Sequence, residues 1–546
     1  MKSKAFESVE SYAEDAKVDV KQIWREYQKG IAYDSAIDLT DNVQLNQEFY
    51  NGEQWKGVNA PSIEKPVLNI LRQAVDYFVS MIVSDDIATM SDLKEDEDDN
   101  IRKALEYITS EGINKIFETT KFKEKTRYFI KNCAIDGDAY FHWWYNTSKN
   151  LESEHEGEID CEIIDSTNVF FGNPAEYEEQ KQPYILIVQK LPTDDVKKLV
   201  LNKLGEASAD MVVPDAEQYN EAEQNAQLSD HYTTVITRFY KVHNIVYWCR
   251  SVKDVMIDEP VSLDTWLYPI AHMGWKRVKN SFRSISPLTE ARENQIMINK
   301  QVMMLNEITK RTAFFKVFYD KNVIKSFSNK TEAVGVNGGI TGDIRGAFTT
   351  MSPNISGVAG SLSQYLDSLI DKTKASLGIY DVALGNVKPE NTSAIIALQK
   401  TASQPLELQR LDYLQVVENS VRIIVDLMSS YYGKRQVPIT VDSKKGMIEF
   451  DFKDLNFNEF GMTVEVGQAS YWSEITQIQT TDNLFDRQII DAKTYVEIQP
   501  NGILPKKNII LDSINAKQEF LNAQAQQMQQ MNQQQAVPNQ PVQPLV

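Results

Sequence analysis

Several kinds of chemistry are missing from this chain of 546 residues, and each absence narrows what it can do. There are three cysteines, Cys133, Cys161 and Cys249, far apart and odd in number, with no C-x-x-C. That speaks against a disulfide framework or a zinc ribbon and suits folding in a reducing cytoplasm. No G-x-x-x-x-G-K-[ST] occurs, so the backbone cradle that an ATPase builds for phosphate is not encoded. GVNGGITG (Gly335 to Gly342) lacks the Lys-Ser/Thr pair and reads as a hairpin turn. The five histidines, His142, His155, His231, His243 and His272, never pair at i, i+4, so no zincin-type metal site is expected. His142, beside Trp143 and Trp144, reads as a strand residue. Asp136 and Asp138 flank Gly137 and read as the turn before that strand, rather than as an acid–base pair. No apolar run approaches the ~20 residues of a membrane helix. The opening MKSKAFESVESYAEDAK has mixed charge and no apolar core, so it is not read as a signal peptide. Basic excess is missing too: 57 Lys and Arg stand against 77 Asp and Glu, a net charge of −20. A general nucleic-acid binder is normally basic, so any DNA contact must come from a local patch. The expectation is a protein with no catalytic, cofactor or metal site and no membrane segment.

What is present is a large globular chain, 42% hydrophobic and 25% charged, long enough for about three or four domains. Met1 to Lys29 reads as an amphipathic helical arm, with a domain starting near Gly30. The acidic run Ser91 to Asn100 reads as a solvated loop ahead of a helical pattern from Ile101 to Ile130. From Ala139 to Trp275 the chain is β-rich, with one helix expected at Thr193 to Gly205. A helix then begins at Ser286-Pro287, with Leu288, Ala291, Ile298, Val302 and Leu305 on one stripe. An insert of short apolar runs follows, then the helical VAGSLSQYLDSLIDKTKASLGIY, the loop ALGNVKPENTS, and a long helix that Pro405 must kink. Strand-like QVPITVDS, GMIEFDF and MTVEVGQ come next. Two helical stretches, Trp472 to Ile498 and Lys507 to Met531, precede a Gln- and Pro-rich tail.

The order of these segments resembles that of tailed-bacteriophage portal proteins, the rings at the head-to-tail connection. EFYNGEQW with KPVLNILRQAVDYFVSMI, AIDGDAYFHWWYN, DCEIIDSTNVFFGNP, ENQIMINK and NTSAIIALQK are similar to family segments, and the likeness runs from about Phe49 to Pro500. Phe282-Arg283 departs from the aromatic–glycine pair that many relatives carry before the stem. The resemblance implies an α+β fold with a helical stem, a small β clip, a mixed α/β wing and a helical crown. The implied divisions are an arm at 1–29, the wing at 30–285 and 434–471, the stem helix at 286–312, and the clip at 313–353. They continue with the returning stem helix at 354–380, a tunnel loop at 381–393, a kinked wing helix at 394–433, the crown at 472–531 and a tail at 532–546.

It also implies a homo-oligomeric ring, twelve-fold in virions, at one capsid vertex and assembled in the host cytoplasm. Double-stranded DNA would pass through its channel without sequence preference. Partners would be the terminase large subunit, a tail adaptor, and the major capsid and scaffold proteins. Val387, Lys388, Pro389 and Glu390 would form the tunnel loop, with Lys300, Lys310 and Arg311 facing the channel. Lys316, Lys321, Lys325, Lys330 and Arg345 would belong to the clip that docks terminase and adaptor. From Ser286 to Pro353 nine basic residues face six acidic ones, an excess of +3 inside a chain of −20. Repeated around an axis, such an excess attracts phosphate without holding it. A head–tail adaptor or other structural virion protein without a DNA channel, and a motor or nuclease, are the competing readings. The first would lack the helix–insert–helix order and the second would need the missing phosphate loop or metal cluster.

Overall fold

The computed structural model describes residues 16–83, 90–92, 107–149, 157–215, 231–313, 316–320, 333–336, 348–351, 356–379, 404–441, 444–454, 461–463, 480–487 and 489–498, with a few single positions beyond. The chain is of mixed helix and strand, compatible with the α+β class. It begins with α1 (Val20–Ala36), started by Asp19, whose carboxylate accepts the Lys21 N–H, and α2 (Leu39–Asn51), ended by Gly52 in the left-handed region. α3 (Ile70–Ile82) starts at Asn69, which accepts the Arg72 N–H. After β1 (Met90–Asp92) come α4 (Ile113–Thr119) and α5 (Phe122–Asp136).

The strands of the central region are β2 (Asp138–Asn146), β3 (Glu158–Ile164), β4 (Val169–Phe171) and β5 (Tyr184–Pro192). After α6 (Thr193–Leu204) they continue with β6 (Tyr232–Val242), β7 (Ile245–Ser251), β8 (Met256–Ser262) and β9 (Ile270–Gly274). They form two antiparallel sheets, ordered β3-β2-β9 and β4-β5-β6-β7-β8. β6 and β7 are joined by His243 and Asn244, both at positive φ, the two-residue turn that matches strand twist. One face of the five-stranded sheet receives Ile23 and Tyr27 of α1, against Phe170, Leu186, Ile236 and Tyr240. The β-strands also pack with Tyr140, Tyr268, Ile270 and Phe282, and α6 adds Val196 and Val200 against Val235 and Ile257. Cover on both faces explains why β5 begins as the unbroken apolar run Ile185 to Val188, rather than alternating.

α1 runs straight through Gly30, so the expected division there falls inside a helix. Gly30 lies on Phe170, where a Cβ would come within 2.5 Å of the ring. Ala16, Ile23 and Tyr27 before it belong to the core, and buried Glu26 holds Arg238 at 2.7 Å.

Two long helices follow: α7 (Pro287–Ala313) and α8 (Ser356–Ser376), which pack along each other. Between them β10 (Lys316–Asp320), β11 (Ala333–Val336) and β12 (Phe348–Met351) make a small sheet ordered β11-β10-β12, parallel on one side and antiparallel on the other. The helices match the expected 286–312 and 354–380 within four residues at each end. α9 (Glu407–Tyr431) then returns to the first region and packs on β9 and β2. Its Asp426 accepts the N–H groups of Trp266 and Leu267 at 2.7 and 3.0 Å. One core is thus built from segments before and after the long helices. Pro405 sits in a 3₁₀ turn just ahead of α9; residues 380–403, on the other side of the expected kink, lie outside the described residues.

The later strands fall in the same compact unit as the earlier β region, as expected, but pair outside its two larger sheets. β13 (Lys434–Val441) and β14 (Lys444–Asp451) form their own hairpin, and β15 (Gly461–Thr463) pairs with β1. Among the described residues none of them joins the two larger sheets. For β13 and β14, pairing across a two-residue loop orders the least chain; β15 instead takes a partner distant in sequence. A second compact unit comprises 84–87 and 466–546. Within it α10 (Ala492–Ile498) carries Tyr495, whose hydroxyl donates to Asp482 and whose ring packs on Phe485. The rest of the expected crown and the whole tail at 532–546 fall mostly outside the described residues.

Candidate functional site

The root of α7 is its most heavily constrained part. Ser286 accepts the Leu288 N–H and donates to the Ala134 carbonyl, so one hydroxyl caps α7 and ties it to α5. Three residues earlier, Arg283 is buried and fully engaged. It grips Asp34 of α1 with two nitrogens at 2.7 and 3.2 Å and donates to Tyr140 Oη and to the carbonyls of Ser166 and Val169. Burial raises the Asp34 carboxyl against the pull of Arg283; the two-pronged contact favours the ionised pair. Asp138 spans the same connector: one oxygen meets His272 Nε2 at 2.9 Å and the other accepts the Ser284 N–H. Gly137 is obligatory beside it, because its φ is +100° and a Cβ would lie 2.6 Å from the Ser284 carbonyl oxygen. Asp136 ends α5 and is pushed up to about 7, chiefly by burial, against its bond from Ser166.

The first half of α7 is locked by amides. Gln295 accepts the Ile70 N–H at 3.0 Å and donates to the Leu68 carbonyl and to Asn299; Asn299 in turn accepts the Leu68 N–H and donates to Gln54. Both are buried on the stripe of Leu288, Ala291 and Ile298. The stretch from Gln54 to Ile70, with its EQW start, is thereby stitched along the helix.

Beyond Asn299 the character changes. No residue from Lys300 to Lys310 is buried, and none from Val358 to Lys372 on α8. Val302 and Leu305 are only half-buried, whereas Met304, Val358 and Tyr365 are 44, 55 and 46% exposed. The helix pair therefore carries apolar side chains that no described residue of the same chain buries.

Of the basic residues expected here, Lys300 is exposed and Lys310 is held by Glu64 at 2.7 Å, with Glu307 at 3.9 Å. Arg311 belongs to the last turn of α7. Lys316 opens β10, paired with Met351. Lys321, Lys325, Lys330, Arg345, Val387, Lys388, Pro389 and Glu390 lie outside the described residues. Gln295 and Asn299 were not singled out from the sequence, and Arg283 was noted only as a departure from the aromatic–glycine pair. A signal existed for the amides, since Gln295 and Asn299 sit on the apolar stripe at positions 7 and 11 residues after Leu288.

Among the described residues no three His, Cys, Asp or Glu side chains are grouped to hold a metal, and all three cysteines are buried and free. No described helix is long and apolar enough to cross a membrane. The chain matches no protein-family model and no curated protein.

Proposed function

We propose that this chain is a portal-type subunit that closes with copies of itself into a ring and conducts DNA through the ring's axis. The observation that carries the reading is the outer half of the α7–α8 pair. It is two long helices with half-buried Leu and Val, exposed Met and Tyr, and no buried residue over two matching stretches. Such a pair gains burial from a neighbouring copy that presents the other side of the same surface; repeated head-to-tail, that contact closes a ring. The order of helix, small sheet, returning helix and return to the first core supports the same reading. In it α7 and α8 are the stem, β10 to β12 the clip, and the core around β2 to β9 the wing.

The proposed role is mechanical. Exposed Lys300, repeated around an axis, meets phosphate weakly and without sequence preference. The clip would receive the terminase large subunit and later the tail adaptor, and the wing the capsid and scaffold proteins. The place of action is a unique vertex of a virion, after assembly in the host cytoplasm. The test is electron microscopy and light scattering of the purified chain across salt concentrations. A closed ring with a central hole is the expected result. A strict monomer at high concentration in every salt would end the proposal.

A further inference from the structure

We propose, resting on the ring reading above, that segment 54–70 of one copy docks on the face of α7 that carries Met297 and Met304 in the next copy. A closed ring needs two unlike surfaces on every subunit, one for each neighbour. The surroundings of α7 supply them on opposite sides. One side is bound to segment 54–70: Gln295 and Asn299 hold the backbone of Leu68 and Ile70, and further out Asn306 and Lys310 reach Glu64 at 3.3 and 2.7 Å. Met297 is two residues from both Gln295 and Asn299, and Met304 is two residues from Asn306. With 3.6 residues per turn, each methionine is therefore turned about 160° away from the amides that hold the segment. Met297 and Met304 are 42 and 44% exposed. On the other side Ile63, Val67 and Leu68 are 37, 37 and 39% exposed. Each copy thus bears uncovered apolar side chains both on the free face of α7 and on the segment across from it.

The segment is shaped before any partner arrives. Trp55 Nε1 donates to the Pro66 carbonyl at 2.9 Å, and Asn69 donates to the carbonyls of Phe49 and Tyr50. A surface already held in one form loses little freedom on binding. Its three charges are occupied within the chain: Lys56 pairs with Glu48 at 2.6 Å, Glu64 pairs with Lys310, and Lys65 donates to the Val58 carbonyl. An apolar partner strands none of them. The register also fits. Cyclic symmetry sets all copies at one height, so with α7 along the ring axis the residues that meet must be level. Leu68 is bound to the side chains at 295 and 299, the level of Met297. Glu64, next to Ile63, is bound to Asn306, about 3 Å along the helix from Met304. Val67 and Leu68 therefore meet Met297, and Ile63 meets Met304, with no sliding of one copy along the other. Methionine, unbranched and polarizable, suits the irregular surface of a non-helical segment.

The test is disulfide trapping in the full chain, under the salt in which light scattering finds assembly. The three natural cysteines are buried. Val67→Cys/Met297→Cys should give, on mild oxidation, a ladder of covalently linked chains. An equal mixture of the two single variants should give dimers, and neither single variant alone should give any. A disulfide forms only where the Cα atoms come within about 7 Å, whereas in one chain the thickness of α7, about 10 Å, separates the two positions. Ile63→Glu and Met304→Glu, both at exposed sites, should each raise the concentration needed for half-assembly at least ~10-fold and leave the denaturation midpoint of the dissociated chain unchanged. Rings without cross-linked chains would leave these faces to another partner and overturn the docking while the ring reading stands. Dimers from Met297→Cys alone would mean that the face meets its own copy, and would overturn it likewise. So would assembly that both glutamate variants leave unaltered. A chain that stays monomeric in every salt would end the docking and the ring reading together.

Discussion

The two halves of α7 have similar compositions and opposite circumstances. From Leu288 to Asn299 the helix is buried by α2, α3 and α5 and stitched by amides; from Lys300 onward no described side chain is buried, although Val302, Leu305 and Ile308 continue an apolar pattern. The contrast teaches that an amphipathic pattern states a need for burial and does not say who meets it. The inner half is served by its own chain, and under the proposed function the outer half waits for a neighbour.

The comparison can be broken hardest at Arg283. Arg283→Ala would strand Asp34 as a buried charge and unpair Tyr140 Oη and two carbonyls, at a cost of about 3–5 kcal/mol. Chemical denaturation followed by intrinsic fluorescence reads this directly. A loss below about 1 kcal/mol would show that the root does not depend on the pair. A matched pair of truncations sharpens the contrast between the halves. Leu288→Ala should cost about 2–5 kcal/mol, as buried leucines do, whereas Leu305→Ala in the dissociated chain should cost under ~1 kcal/mol. If a neighbour covers the outer half, Leu305→Ala should nevertheless weaken the assembled species in light scattering. Equal costs in the dissociated chain would erase the distinction.

The smallest effect concerns pH. Asp136 is raised by burial from 3.8 to about 7, so the folded chain binds a proton more tightly than the unfolded one. Its contribution to stability is full below about pH 4 and is lost as pH rises through about 7, a change of about 2 kcal/mol or less given its partial exposure. Asp136→Asn should flatten the denaturation midpoint against pH across that window. An unchanged slope would mean that Asp136 ionises freely.

Much of the fold was legible from periodicity. The stripe from Leu288, with Pro287 at the first position, placed α7 almost to the residue, and the β-branched runs marked β2, β3, β5, β6 and β7. Gly137 was legible as a turn because its neighbours are a helix and a strand. What stayed hidden depends on partners distant in sequence. Gln295 and Asn299 look like breaks in an apolar stripe until the backbone of Leu68 and Ile70 arrives beside them. Arg283 looked like a missing glycine; its meaning comes from Asp34, 249 positions away. The late strands lie in the same compact unit as the earlier β region, but their partners were not legible, because alternation specifies a face and a need for pairing, not a partner.

The amide stitching at Gln295 and Asn299 also makes α7 a lever. Its last buried attachment among the described residues is Asn299, and the helix continues to Ala313, about 21 Å further along its axis, with only exposed contacts from Asn306 and Lys310 to Glu64. A tilt of ~5° at that fulcrum carries the far end sideways by about 2 Å, comparable to a hydrogen bond won or lost. Small adjustments in the seat of Leu68 and Ile70 are therefore magnified at the place where β10 begins. Loads on the small sheet return, with mechanical advantage, to the two side-chain amides that hold the pivot.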